Sequence, residues 1–125
     1  MDFDLKLEPN GSFAILTNHK DVTLLSAIEH QRAMRKFAET HAVHHFLLDT
    51  RGKTFCGTYV DLFRFARRVL HKEGFNLTWK VAVVTSPKDR SHDMLEIFTH
   101  NAGYRVKIFT NYEEAQVWLT WDSDV

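Results

Sequence analysis

The stretch Trp79-Lys80-Val81-Ala82-Val83-Val84 is the most β-like in the chain, a β-branched run with no helical period, and Pro87 stops it. Reading outward from it, helical patterns flank the run on both sides. Upstream, Thr58 and Asp61 have capping-box spacing, and Tyr59, Leu62, Phe63, Ala66 and Leu70 share one helical face that Gly74 closes. Downstream, Ser91 or Asp89 is placed to cap a helix that buries Met94, Leu95, Phe98 and Ala102 and ends at Gly103. Residues 106–109 read as a last short strand. Asn111 and Glu114 then cap a final helix that turns Ala115, Trp118 and Leu119 inward.

The amino-terminal half follows the same grammar. Phe3, Leu5 and Leu7 alternate with polar residues, a turn follows at Pro9-Asn10-Gly11-Ser12, and Phe13 and Ile15 resume the alternation. Residues 21–40 are rich in helix formers, with Asp21 as N-cap. Phe46-Leu47-Leu48, ending at Asp49, is a short apolar run before a Gly-containing loop and reads as a buried central strand. The order is β-β-α-β-α-β-α-β-α, without repeat or linker. Strands alternating with helices pair in parallel through right-handed crossovers, and the opening hairpin adds one antiparallel strand. The expected fold is therefore α/β, a single domain over residues 1–125, with a five-stranded, mostly parallel mixed sheet and four helices. Leu48, Phe63, Val81, Val83, Phe98, Ile108 and Trp118 are expected in or near the core.

Composition narrows the function. With 125 residues, 44% of them apolar and ten Phe, the chain can build one core without a staple. Sixteen basic and sixteen acidic side chains leave no net charge, which argues against nucleic acid and anionic membranes as partners. The apolar runs are too short for a membrane span, and the acidic start at Asp2 and Asp4 does not fit a signal peptide. Cys56 is the one cysteine, so no internal disulfide forms and a reducing, cytoplasmic location is expected.

Several residues, taken in order, resemble the SpoIIAA-like family, which is related to STAS domains. They are Asp49-Thr50-Arg51-Gly52 after a strand, Tyr59 opening the next helix, and Val81-Ala82-Val83-Val84. Asn101-Ala102-Gly103, Val106-Lys107-Ile108-Phe109 and Glu114-Ala115 with Trp118-Leu119 complete the set, so the likeness runs from about residue 3 to 119. The resemblance implies a bacterial, cytoplasmic regulatory or protein-binding module, not an enzyme, and it implies no cofactor. STAS-type antagonists of anti-sigma factors carry Asp-Ser-Ser/Thr-Gly, with the residue before Gly phosphorylated. That position is Arg51 here, which leaves Thr50 as a second-choice phosphorylation site. The Asp-x-Arg-Gly loop is closer to an uncharacterised branch of the family. Because a related group of larger domains binds lipids, a small-molecule or lipid carrier is the alternative.

The remaining motifs fit other chemistry poorly. Gly52-Lys53-Thr54 looks like the end of a phosphate-binding loop, but the position that needs the first Gly is Leu47, inside a strand. Cys56 precedes a helix, yet Leu62 stands where a phosphatase loop carries Arg. His41, His44 and His45 lack partners at metal-ligand spacing, and no metal is expected. Arg64, Arg67, Arg68, His71 and Lys72 form a basic helix face, either solvated surface or a dock for an acidic partner. Trp121 lies past the last helical face, where it could cover its own domain's edge or meet a second copy in a homodimer.

Binding is expected at Asp49, Thr50, Arg51, Gly52, Tyr59, Asp89 and Arg90, with Asp49, Arg51, Asp89 and Arg90 converging at the carboxyl edge of the sheet. The loop over residues 49–57 is the centre of this reading, and the neighbouring Ser86–Arg90 loop is expected to contribute. Free N–H groups at the start of the next helix suit an anion, Gly52 and Gly57 admit a partner's backbone, and Arg51 can grip a carboxylate or phosphate.

Overall fold

A computed structural model describes residues 2–121. Five strands, β1 (Phe3–Leu7), β2 (Ala14–Asn18), β3 (Phe46–Asp49), β4 (Lys80–Val84) and β5 (Arg105–Phe109), form one sheet in the order β1-β2-β3-β4-β5. The first pair is antiparallel and the other three are parallel. The helical elements are α1 (Leu24–His41), α2 (Tyr59–Arg64), a π turn (Phe65–Val69), α3 (Leu70–Glu73), α4 (Asp93–Asn101) and α5 (Tyr112–Thr120). α2, the π turn and α3 run on without a break, so the expected four helices and the α/β class are both present.

The strand order explains the layering. Each parallel crossover steps one strand in the same direction, and crossovers of one hand then place all their helices on one face. Ala14, Leu16, Phe46, Val81 and Val83 accordingly pack in one cluster with Met34 and Ala38 of α1, Phe65 and Leu70 around the π turn, and Leu95 of α4. The alternate residues Ile15, Leu47, Ala82 and Val84 face the other way and meet Ala115 and Leu119 of α5. The sheet is thus covered by three helices on one side and by α5 alone on the other. β2 is buried nearly throughout because it is an inner strand, not the half-exposed partner that simple alternation suggests.

Three local expectations need correcting. Thr23, not Asp21, caps α1 in a capping box with Ser26, while Asp21 turns to accept a bond from the Thr54 N–H. Neither Ser91 nor Asp89 caps α4, which starts after His92 without a side-chain cap. Phe63 is 46% exposed instead of buried. The π turn accounts for the last. In it the Leu70 N–H reaches back to the Phe65 carbonyl, which adds one residue to the helix circumference. Leu70 thereby returns beneath the face made by Leu62, Phe65 and Ala66, and Phe63 is left outside, edge-on to Phe98 at 5.4 Å. Of the other expected core residues, Val81 and Val83 are buried, whereas Leu48, Phe98, Ile108 and Trp118 are partly buried.

Two buried polar groups hold the layers in register. Lys80 is buried on the α5 side, where its ammonium donates to the carbonyls of Trp118 (2.9 Å) and Trp121 (2.7 Å). A cation there offsets the negative end of the α5 dipole. Trp121 itself is exposed and does not cover the edge of its own domain. On the opposite side, His30 of α1 is buried against the Phe3 ring, and burial pushes its imidazole down to about 4, with Asp2 opposing weakly.

A folded-state value below the ordinary 6.5 means that the unfolded chain takes up the proton first. The contribution of His30 is complete above its unfolded value and is lost as pH falls from about 6.5 toward 4. The expected loss is at most about 3 kcal/mol, read from urea melts across this range. A profile that stays flat down to about pH 4.5 would contradict it.

Candidate functional site

The carboxyl ends of β3, β4 and β5 bring three connections together. The loop after β3 lies in the middle and is tied down on both sides. The Thr50 N–H donates to the Val84 carbonyl, Arg51 N–H to Asp49 Oδ1, Gly52 N–H to Ser86 Oγ and Lys53 N–H to the Thr50 carbonyl. Thr54 N–H then donates to Asp21 Oδ1, Phe55 N–H to Ser91 Oγ and Cys56 N–H to the Val22 carbonyl. Every backbone N–H from 50 to 56 is therefore used, and an isolated bridge between Val22 and Phe55 extends the stitching.

This changes what the loop can offer. No N–H from 50 to 56 is left to cradle an anion, so the phosphate-loop likeness at Gly52-Lys53-Thr54 has no backbone behind it. The start of α2 is engaged in part, because Thr58 and Asp61 exchange capping bonds and the Asp61 carboxylate already sits there. Gly57 is exposed, but its own chain crowds one side of it. A Cβ there would come within 2.7 Å of the Phe55 ring and 2.9 Å of Asp61 Oδ2, so the close approach is made by its own chain. Gly52 is the position with open space around it, at a φ of +75° that only glycine adopts freely.

Side chains carry what remains. Arg51 makes two parallel bonds to Asp49, Nε to Oδ1 at 2.9 Å and Nη2 to Oδ2 at 2.8 Å, and its guanidinium lies over the Tyr112 ring at 4.8 Å. Burial works to raise the Asp49 carboxyl, but the hydrogen bonds and charge of Arg51 outweigh it and hold the group below its ordinary value. The hydrogen bonds to Asp49 raise Arg51 in turn, and burial raises the Tyr112 phenol. Half of the Arg51 side chain is exposed at this charged, aromatic-backed corner.

The second expected group, Asp89 and Arg90, does not join it. Asp89 accepts bonds from the Ser91 N–H (2.8 Å) and hydroxyl (2.6 Å) and lies 3.4 Å from His92 Nδ1. Its carboxyl is raised by burial and lowered more strongly by Ser91 and His92, for a net fall, whereas burial lowers the His92 imidazole against the pull of Asp89. Arg90 pairs with Asp93 and points its exposed guanidinium elsewhere. The four residues thus form two clusters. Asp49 and Arg51 face Tyr112 of α5, while Asp89, Ser91 and His92 hold Phe55 on the three-helix side. Tyr59 is 69% exposed on α2, and no hydrogen bond or ring contact joins it to Arg51 among the described residues.

Thr50, the second-choice phosphorylation site, is tucked under the loop. Thr50 is 2% exposed, and its hydroxyl donates to the Val84 carbonyl at 2.8 Å. Ser86 and Ser91 come from the loop over residues 85–91 after β4, which is expected to contribute at this edge and does so by accepting from Gly52 and Phe55. Tyr112 is the contributor without a chemical signal in the sequence, marked only by its place just past the end of β5.

Two spaces adjoin the site. A groove of about 410 Å³ opens beside β4 and β5, lined by Thr85, Asp89, Arg90, Asp93, Ile108 and Thr110 among others. It forms where the connection after β4 turns to one face of the sheet and the one after β5 to the other. A much smaller cavity of about 70 Å³ lies between the sheet and α1, α2 and α4, with His30, His92, Phe55 and Leu95 in its wall. No group of three or more His, Cys, Asp or Glu residues is arranged to hold a metal ion among the described residues.

The stitching has measurable consequences. Thr50→Asp would bury an unpaired carboxylate and should cost about 3 kcal/mol or more, which a urea melt detects. Thr50→Ser should lie within about 1 kcal/mol of the wild type. In Ser91→Ala the Phe55 N–H loses its acceptor, so hydrogen exchange at that amide should quicken while the β4 amides keep their protection.

The chain matches no protein-family model and no curated protein.

Proposed function

We propose that the chain is a non-enzymatic regulatory or protein-interaction module of the STAS-related type, working in the cytoplasm through the loop after β3. The observation that carries this reading is the Asp49–Arg51–Tyr112 corner on a loop whose every N–H from 50 to 56 is bonded. A rigid loop that presents one preorganised guanidinium contributes to recognition at little ordering cost. Arg51 has donors beyond the two spent on Asp49, and these suit a carboxylate on a partner's surface.

The arrangement supports recognition better than turnover. Ser91, His92 and Asp89 are a serine, a histidine and a carboxylate, but the serine hydroxyl donates to Asp89 at 2.6 Å, which leaves its oxygen only to accept at the longer 3.3 Å contact with His92 Nδ1. His92 is 3% exposed and its Nε2 is buried without a hydrogen-bond partner. A substrate could not reach a nucleophile-base pair there. Against a lipid carrier stands the size of the apolar internal cavity, about 70 Å³, where a lipid-sized ligand needs several hundred Å³, while the larger groove beside β4 and β5 is walled in part by the charged Asp89, Arg90 and Asp93. The exposed Cys56, with no second cysteine to pair with, suits a reducing compartment.

Affinity capture from the native organism with wild type and Arg51→Ala side by side tests the proposal. The substitution should cost about 1 kcal/mol of stability, because it leaves a half-buried Asp49 without its partner, yet should remove or weaken the captured protein at least tenfold. Identical captures would mean that the loop is only a connector. A lipid seen with the purified protein by native mass spectrometry would favour the carrier instead.

A further inference from the structure

The basic face of the second helix is not absorbed by the loop. Tyr59, Val60 and Phe63 are 69%, 55% and 46% exposed at its first turn, a cluster of large apolar side chains that the core does not use. The next turns carry Arg64, Arg67, Arg68 and Lys72, all exposed. Arg67 donates to the Asn101 carbonyl at the end of α4. Among the described residues, Arg64, Arg68 and Lys72 make no ion pair. Of the two acids on this run, Asp61 caps α2 and Glu73 is held by Arg32 and Arg35 of α1. A chain with no net charge thus concentrates unpaired positive charge along one helical run, next to an exposed aromatic cluster. The π turn is what leaves Phe63 on that surface.

We infer that this face docks an acidic amphipathic segment of a partner protein, with its apolar side chains on Tyr59, Val60 and Phe63 and its carboxylates along Arg64, Arg68 and Lys72. Charge complementarity selects an anionic occupant. The layout selects a linear one. Apolar and cationic groups follow one another along the helix axis, whereas a helix lying in a bilayer surface carries them as parallel stripes. Aromatic and Arg side chains are also the groups that dominate protein interfaces. This inference rests on the reading of the chain as an interaction module, but not on the loop after β3 being the contact.

The test uses the full chain and a fluorescently labelled peptide that carries a Leu-x-x-Phe anchor followed by glutamates at helical spacing. A control peptide has lysines in place of the glutamates. Binding of the acidic peptide alone is expected, weakening several-fold as salt is raised. Arg64→Glu with Arg68→Glu should weaken it at least tenfold, as should Phe63→Ser, with melting curves showing that both variants fold. Amide shifts should move over residues 59–72. Arg51→Ala should bind the peptide as the wild type does. The inference is overturned by equal binding of both peptides, by no binding into the millimolar range, or by shifts elsewhere. It is also overturned if phosphatidylglycerol vesicles bind through these residues and the peptide does not, or if the same substitutions abolish a homodimer instead. A captured partner lost with Arg51→Ala but kept by the α2 variants would sink this inference and leave the loop reading intact.

Discussion

A strand order that never reverses is the constraint on which this structure depends. Because β2 to β5 are laid down side by side in chain order, crossovers of one hand put α1, the α2–α3 run and α4 on a single face. The other face would stay bare without α5, which folds back beneath the sheet. Alternation along the strands then has two cores to serve. Leu47, Ala82 and Val84 belong to α5, and Phe46, Val81 and Val83 to the three helices. Lys80 is where the arrangement is most exposed to error. Its buried ammonium would be costly anywhere on that face except at the carbonyls that end α5.

The same constraint shapes the carboxyl edge. In doubly wound sheets a ligand crevice opens where the strand order reverses, because neighbouring connections leave for opposite faces. No reversal exists here, yet one such parting does, since the connection after β4 leads to α4 and the one after β5 to α5. The groove beside β4 and β5 lies there. The loop after β3 straddles the same edge. Arg51 reaches Tyr112 on the α5 side, and Phe55 is held by Ser91 on the three-helix side. One short loop therefore touches both layers, which is why it is so completely hydrogen-bonded.

Much of this was legible in the amino-acid order, for identifiable reasons. Apolar runs such as residues 81–84, the turn around Gly11 and the caps at Thr58 and Asn111 are local signals, and each lies where local physics puts it. The errors arose where a residue had two uses. Asp21 can cap a helix or hold Thr54, and tertiary structure chose the second. Asp89 can cap α4 or organise Ser91 and His92, with the same result. Phe63 fits an inward stripe on any regular helix, and only a π turn moves the stripe away from it. The site was legible as a place but not as a mechanism. Asp49, Arg51 and Gly52 are where the loop reading put them, and the loop after β4 contributes as expected through Ser86 and Ser91, yet nothing local could reveal that Tyr112 backs Arg51 from the start of α5.

The satisfied backbone also decides what kind of recognition the loop can perform. Loops that bind phosphate do so with N–H groups left free by glycine-rich turns. Here residues 50–56 have spent theirs on Ser86, Ser91, Asp21, Asp49 and three carbonyls, of Val84, Thr50 and Val22. An anionic group arriving at this edge would have to be met by the guanidinium of Arg51, which already holds Asp49. Such a contact can use the donors left over from Asp49, or it can draw Arg51 off in an exchange of carboxylate partners, whose strength then depends on how readily Asp49 is released. The opposing pulls on Asp49 matter for that reason. Burial favours its neutral form, and Arg51 alone keeps it well ionised. A partner that draws Arg51 away would leave a half-buried carboxylate behind, so the energetic consequence of contact at the surface would be felt at the end of β3, inside the fold.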